Sequence, residues 1–392
     1  MAFFELTHPT RIIPDFPGAN GWLAAITGVV LLLEGGNVRV PRIPWTAVAY
    51  LALCAASVLW SINRSDTLLM TLLYSWIALF ACICVAQTDT QTLLRGIAWG
   101  GVMLVAVTLI SVVVDPERFG GGLLFPGSGP GVHGSRGVVA YSLVLALCAA
   151  LARRDSRWLR RIEIGLTVLV NLTVVVIAPS ATGRVGVVAI LLSVLPLAFI
   201  RRLHGRRLVW AWAVIVGLAA VVVVVGIQNA DLIAAALDRS ADFSGRFAVW
   251  QAIIPAWLEA PILGYGFGAV WFYGWWRLDG SPVLTQMNEA AKIYFYHGHN
   301  IVFDVLPQLG ALGLVAVLLL LGLLLVRGVR GFRELPDAAT WAVLTLIAIV
   351  VMGITEPMLS VPVGWFCVVA ATAASRREPL ILTRTDTPGN PG

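Results

Sequence analysis

Three short stretches of this 392-residue chain carry residue types suited to chemistry on phosphates and hydroxyls. Ser244-Gly-Arg246 opens an amphipathic stretch with Trp250, Ile253, Ile254 and Trp257 at helical spacing. His297-Gly-His299-Asn300 stands directly before a long apolar run, and Arg184 closes the stretch Ser180-Ala-Thr-Gly-Arg184 between two others. A guanidinium presents a fixed fork of donors that fits phosphate oxygens. A histidine accepts a proton near neutral pH. Plainer readings stand beside these. Arg184 reads equally as a snorkelling arginine at a helix end, and Arg246 as a helix-start charge paired with Asp242 or Glu259. The two histidines read equally as interfacial packing among aromatics.

Other features carry less chemistry. Gly264-Tyr265-Gly266-Phe267-Gly268 mimics a nucleotide loop but follows no strand, so it reads as a turn whose glycines allow close backbone approach. The run Trp271–Trp276 suits either stacking on sugar rings or an aromatic membrane belt. No Asp-X-Asp pair marks a divalent-metal site among the acids of the same loops. The five cysteines lie inside apolar runs without Cys-X-X-Cys spacing, which argues against disulfides and zinc and for lipid-facing or packing roles.

The elements that must position these residues are membrane helices. Hydrophobic residues make up 59% of the chain and charged ones only 12%, with a mean hydropathy of +0.87; a soluble domain carries roughly a quarter charged residues. Apolar runs of about the length that crosses a bilayer fall at residues 20–36, 44–61, 67–86, 96–114, 137–152, 162–179, 185–200, 208–227, 300–326, 338–355 and 360–374. The expected fold is therefore all-α: a polytopic bundle of eleven spans, or twelve, with the short first run the uncertain one. Residues 1–227 form an N-terminal bundle, 228–299 a large external loop with short interfacial helices, 300–374 three further spans, and 375–392 a disordered tail. The first 18 residues lack the basic-then-apolar pattern of a cleaved signal peptide. Of the 27 Lys and Arg residues, 18 fall in one alternating set of loops. The positive-inside rule then sets the C-terminus in the cytoplasm and the large loop outside. The net charge of +6 is thus orientation rather than a nucleic-acid surface.

With these residues in order, the chain resembles the O-antigen ligase and polysaccharide polymerase superfamily of bacterial envelope glycan assembly. The resemblance rests on Ser244-Gly-Arg246 with Trp250, on Pro261-Ile-Leu-Gly-Tyr-Gly-Phe-Gly268, and on His299-Asn300 followed by Gly310 and Gly313. Leu59-Trp-Ser-Ile-Asn63 before Thr67 is similar to the superfamily's second external turn. The resemblance implies a metal-independent, cofactor-free glycosyltransferase at the periplasmic face of the bacterial inner membrane. Its donor would be an undecaprenyl-diphosphate-linked glycan and its acceptor a sugar hydroxyl, on a growing chain or on lipid A-core. Arg184 and Arg246 match the family's diphosphate-binding arginines and His299 its proposed base, with His297, Asn300, Trp250, Ser244 and Tyr265 as substrate-binding candidates. The Gly-Tyr-Gly-Phe-Gly-Ala-Val-Trp run leans toward the exopolysaccharide-polymerase branch, and the turn carrying Arg184 varies widely in the superfamily. Direct displacement would invert the anomeric centre. The alternatives are a secondary transporter or lipid-linked glycan flippase, which needs ionisable residues at mid-membrane, and a protein-glycosylating transferase of the same superfamily. Inside the spans few ionisable residues are available for transport: Glu163 and Asp304 lie near predicted ends, and Glu356 borders a turn.

Overall fold

The computed structural model describes residues 41–114, 136–155, 157–177, 180–200, 203, 245–271 and 281–376. Among these are eleven helices and no strand: α1 Trp45–Ala56, α2 Arg64–Gln87, α3 Thr90–Val114, α4 Arg136–Ala152, α5 Trp158–Ile177, α6 Ala181–Ile200, α7 Arg246–Glu259, α8 Pro282–Ala291, α9 Ile301–Gly331, α10 Pro336–Gly353 and α11 Pro362–Ala374. Nine of the eleven expected spans coincide with α1 to α6 and α9 to α11. The expected spans at 20–36 and 208–227, Ser244 and the tail beyond Arg376 lie outside the described residues, as do residues 115–135. Five helices are long and apolar enough to cross a membrane, namely α2, α3, α6, α9 and α10, and α1, α4 and α11 are shorter apolar helices. The chain is a multi-pass membrane protein.

Burial separates helices that face protein from those that face lipid. From Val139 to Ala150 every residue of α4 is buried, as expected of a helix apolar on all sides and enclosed by others. It packs against α3, α5, α6 and α10. The indoles of Trp341 on α10 and Trp365 on α11 are fully enclosed. By contrast α6 leaves Leu192 and Leu195 more than 70% exposed, a cost in water and none in hydrocarbon, where apolar surface has no solvent to escape. Cys54, Cys82, Cys148 and Cys367 are buried and Cys84 half-buried, so the thiols pack between helices rather than line the lipid face.

The long helix α9 is broken, which the apolar run at 300–326 does not reveal. Gly310 has φ 60° and ψ −158°, outside helical geometry. In a bilayer the backbone groups freed by such a break must find partners inside the protein. The segment 261–266 supplies them. Tyr265 N donates to Pro307 O at 2.9 Å and Gly266 N to Gln308 O at 2.9 Å, while Ala311 N and Leu312 N donate to Pro261 O and Ile262 O at 2.8 and 3.2 Å. The Gln308 side chain continues the joint, accepting from Gly268 N at 2.8 Å and donating to Asp304 O at 2.8 Å. The glycine run is therefore a clamp on a split helix.

The turn before α2 braces this clamp from the other side. Ile62 N donates to Tyr265 O at 3.0 Å, Trp60 Nε1 to Leu263 O at 3.1 Å, and Phe267 N to Ser57 Oγ at 3.1 Å. Asn63 caps α2 by accepting from Asp66 N at 3.2 Å. The segments Leu59–Asn63 and Gly264–Gly268, distant in sequence, are thus one structural unit.

A Cβ on Gly264 would lie 2.5 Å from the Gln308 carbonyl carbon, and one on Gly310 2.3 Å from that of Ile262, with φ of +65° and +60°. Gly264→Ala and Gly310→Ala should each cost about 2 kcal/mol or more, read as a lower apparent Tm in detergent. Gly322→Ala, on the same helix with nothing within 4 Å, should leave Tm unchanged or slightly raised.

Candidate active site

Five parts of the fold converge beside the start of α9: the first turn of α7, the loop 295–300, the turn 354–361 between α10 and α11, Tyr141 on α4 and the first turn of α6. The loop is held by its own backbone. Asn300 caps α9, its Oδ1 accepting from Val302 N at 2.7 Å, while its Nδ2 donates to Ile354 O at 2.9 Å. Gly298 N donates to Asp304 Oδ1 at 3.0 Å, and Gly298 O accepts from Trp250 Nε1 at 3.0 Å. A Cβ on Gly298 would meet Asp304 N at 2.5 Å, so only glycine lets the chain pass this close to the helix. His299 then takes φ +48°, a left-handed conformation costing ~1–3 kcal/mol for a residue other than glycine.

That path turns both imidazoles inward. The ring centroids of His297 and His299 are 3.9 Å apart, and His299 N donates to His297 Nδ1 at 3.2 Å. A ring nitrogen that accepts a hydrogen bond carries no proton, so this contact selects neutral His297. Burial, the other imidazole and the Arg246 charge hold His297 well below the ordinary histidine range. Burial and Arg246 lower His299 to about 4. Both are neutral at pH 7, and His299 Nδ1 is buried without a hydrogen-bond partner.

Arg246 opens α7 after Gly245, which has φ +83° and turns the chain into the helix. The partner of its guanidinium is Glu356: Nη2 lies 2.6 Å from Glu356 Oε1. The expected alternative pairing with Glu259 does not occur, since Glu259 accepts from the Tyr265 hydroxyl at 3.1 Å. Glu356 is 8% exposed. Burial pushes its carboxyl up, and the Arg246 charge and hydrogen bonds from Tyr141 and Arg246 offset this only in part. Its carboxylate and the imidazoles of His297 and His299 bring one candidate ligand atom each within 4.8 Å of one another, a spacing that suits a divalent cation. The cation already at that carboxylate is the Arg246 guanidinium, whose charge opposes a second one.

Arg184 lies in the first turn of α6, its N–H donating to Ser180 O at 3.1 Å, so the stretch 180–184 is largely helix rather than turn. Its Nε is buried without a hydrogen-bond partner, while the residue as a whole is half-buried. Two residues earlier, Thr182 Oγ1 and Thr355 Oγ1 are 2.8 Å apart, which ties the Arg184 turn to the residue before Glu356.

The remaining candidates act through the scaffold. Trp250 stacks on Phe303 at 5.3 Å and 13° besides bonding Gly298. Tyr265 spends its hydroxyl on Ala256 O at 3.0 Å and on Glu259, away from the imidazoles. Asn300 has both ends of its amide engaged. The buried face of α7 runs Val249, Ala252, Ile253 and Ala256, with Ile254 exposed, so the amphipathic stripe is shifted from the expected one. Trp271 is buried against Phe295 and donates to Asp304 O at 2.9 Å, which leaves it unavailable for stacking on sugar; residues 272–280 lie outside the described residues. The two site residues that sequence reasoning passed over are Tyr141 and Glu356. A lone acid beside a turn and a tyrosine inside an apolar run gave no spacing signal.

Residues 166–318, which include Arg184, Arg246, His297 and His299, match the O-antigen ligase family. Over this stretch the chain is similar to the O-antigen ligase family, in line with the resemblance that its motifs carry. Among curated proteins it is similar to the exopolysaccharide production protein ExoQ of Rhizobium meliloti (strain 1021), at 23% identity over 280 residues. That match covers 70% of this chain and 62% of ExoQ, so the chain spans less than two thirds of the relative's length.

The depressed histidine pKa values carry a sign. The unfolded chain takes up protons below about pH 6.5, whereas folded His299 does so only near 4. The unfolded state therefore binds more protons in that window, and stability should fall as pH drops through it. Apparent Tm measured between pH 7 and 4 should decline less steeply in His299→Gln than in the wild type.

Proposed function

We propose that this protein is a glycosyltransferase that moves a glycan from a lipid diphosphate onto an acceptor sugar hydroxyl at the outer face of the inner membrane. The observation that carries this reading is the shared site of Arg246, Glu356, His297 and His299: a fixed cation beside two neutral bases. In the transfer, the acceptor oxygen bonds to the anomeric carbon as its proton passes to a ring nitrogen of His299. The bond from that carbon to the diphosphate oxygen breaks, and its electron pair leaves with the lipid diphosphate. Arg246, with Arg184, would neutralise the charge that grows on the leaving group. A base already neutral at pH 7 is ready to accept the proton. A single displacement of this kind inverts the anomeric configuration.

The sidedness rests on the positive-inside reading of the arginine-rich loops, which supports a site on the translocated side. Transport is less well supported. Glu163 is bound at 2.9 and 3.0 Å by Arg95 and Arg153, and the Asp304 carboxylate by Gly298 N, Ser360 Oγ and Gln308 Nε2. Half-buried Glu163 and buried Asp304 thus serve structural networks. The likeness to a protein named for exopolysaccharide production favours chain polymerisation over ligation to lipid A-core.

Purified full-length protein given an undecaprenyl-diphosphate-linked repeat unit should make longer lipid-linked chains, with an inverted linkage by NMR. Arg246→Ala and His299→Ala should each lower the rate by about 10²-fold or more, and excess EDTA should leave it unchanged. Full activity in Arg246→Ala, or product only when lipid A-core is added, would count against the arginine role and the polymerase reading respectively.

A further inference from the structure

The transferase reading leaves one feature of the site unexplained. A carboxylate is an odd neighbour for an arginine that must bind phosphate, because it competes for the same donors. It is also an odd neighbour to leave behind, since a buried carboxylate stripped of its partner is strongly destabilised. Glu356 is that carboxylate, with Arg246 on it at 2.6 Å. The groups facing it come from three elements: Tyr141 from α4, Arg246 from α7, and His297 and His299 from the loop before α9, with Tyr296 acting on Tyr141. Thr355, its neighbour in the chain, is tied to α6 two residues from Arg184.

We propose that Glu356 is a positioning residue with two partners in turn: it holds Arg246 while the donor site is empty, and it faces the His299 imidazolium during transfer. The inference rests on the transferase reading above. In the empty site the Arg246 charge opposes protonation of both imidazoles, which keeps the base free. A bound diphosphate engages Arg246 and cancels that charge. Glu356 then keeps the Tyr141 hydroxyl as a donor, and the nearest group able to become a cation is the imidazole cluster. When His299 takes the acceptor proton, the new positive charge forms beside an anion rather than beside a free arginine. The proton leaves to water after the lipid diphosphate departs, and Arg246 returns to Glu356. Donor binding thereby strengthens the base only when there is something to transfer. Glu356 and Tyr141 both lie outside the family match at 166–318.

Steady-state kinetics of the full chain in nanodiscs, with the lipid-diphosphate-linked repeat unit as donor, test this. In Glu356→Gln, kcat should fall about 10²-fold while donor KM stays level or drops, because Arg246 is no longer held back. Glu356→Asp should recover part of kcat, and Tyr141→Phe should lower it by less than about tenfold. In the wild type the acid limb of kcat should lie at higher pH than that of kcat/KM, since the first reports the loaded site and the second the empty one. A raised donor KM with unchanged kcat in Glu356→Gln would overturn the proposal, as would acid limbs that coincide in the wild type. If Glu356→Gln does not fold, the wild-type pH comparison decides alone. Product formation by the wild type tests the transferase reading separately.

Discussion

Every buried backbone group in a lipid-embedded chain must be hydrogen-bonded within the protein, and the break in α9 at Gly310 makes that demand acute. Its answer is the segment 261–266, whose amides and carbonyls complete the split helix. That joint fixes where α9 begins and hence where the loop 295–300 must end. It also anchors the far end of α7 through residues 260–264. Arg246 and His299, at opposite ends of the large loop, are thus referred to one rigid joint.

The start of α9 then serves as the site's second frame. Asp304 is 1% exposed, yet its carboxylate receives Gly298 N and Ser360 Oγ and lies near Gln308 Nε2. One buried acid therefore fixes the glycine between the two histidines, the far end of the turn that carries Glu356, and the glutamine of the helix joint. Ionised groups are kept inside apolar proteins only when such bonds compensate their desolvation. Here the compensation comes from three elements that must keep register for the site to exist.

The electrostatics of the site follow from that packing. Histidines next to an arginine stay neutral, and a carboxylate kept dry binds the arginine tightly. Each group's state depends on its neighbours more than on its own chemistry. In the proposed reaction, charges so coupled would respond together when an anionic ligand enters.

The apolar helices were legible in the sequence because crossing a bilayer is a local requirement: each needs its own run of apolar residues, and α1 to α6 and α9 to α11 fall where such runs lie. Arg184, Arg246 and His299 stood out as candidates because polar groups between apolar runs are few and costly. The superfamily resemblance was legible from the order of short motifs around them. The partners of these residues were not legible. Pairing Arg246 with Glu356, across 110 positions, rather than with nearby Glu259 is decided by how α7 lies over the α10–α11 turn. The break at Gly310 looks like one more small residue in an apolar run until the glycine clamp meets it. The sequence alone determined that this is a membrane helix protein with reactive side chains on its loops, since hydropathy and motif order are carried along the chain. Only the tertiary structure decided which carboxylate those side chains share, because a contact between distant helices depends on packing that no local pattern encodes.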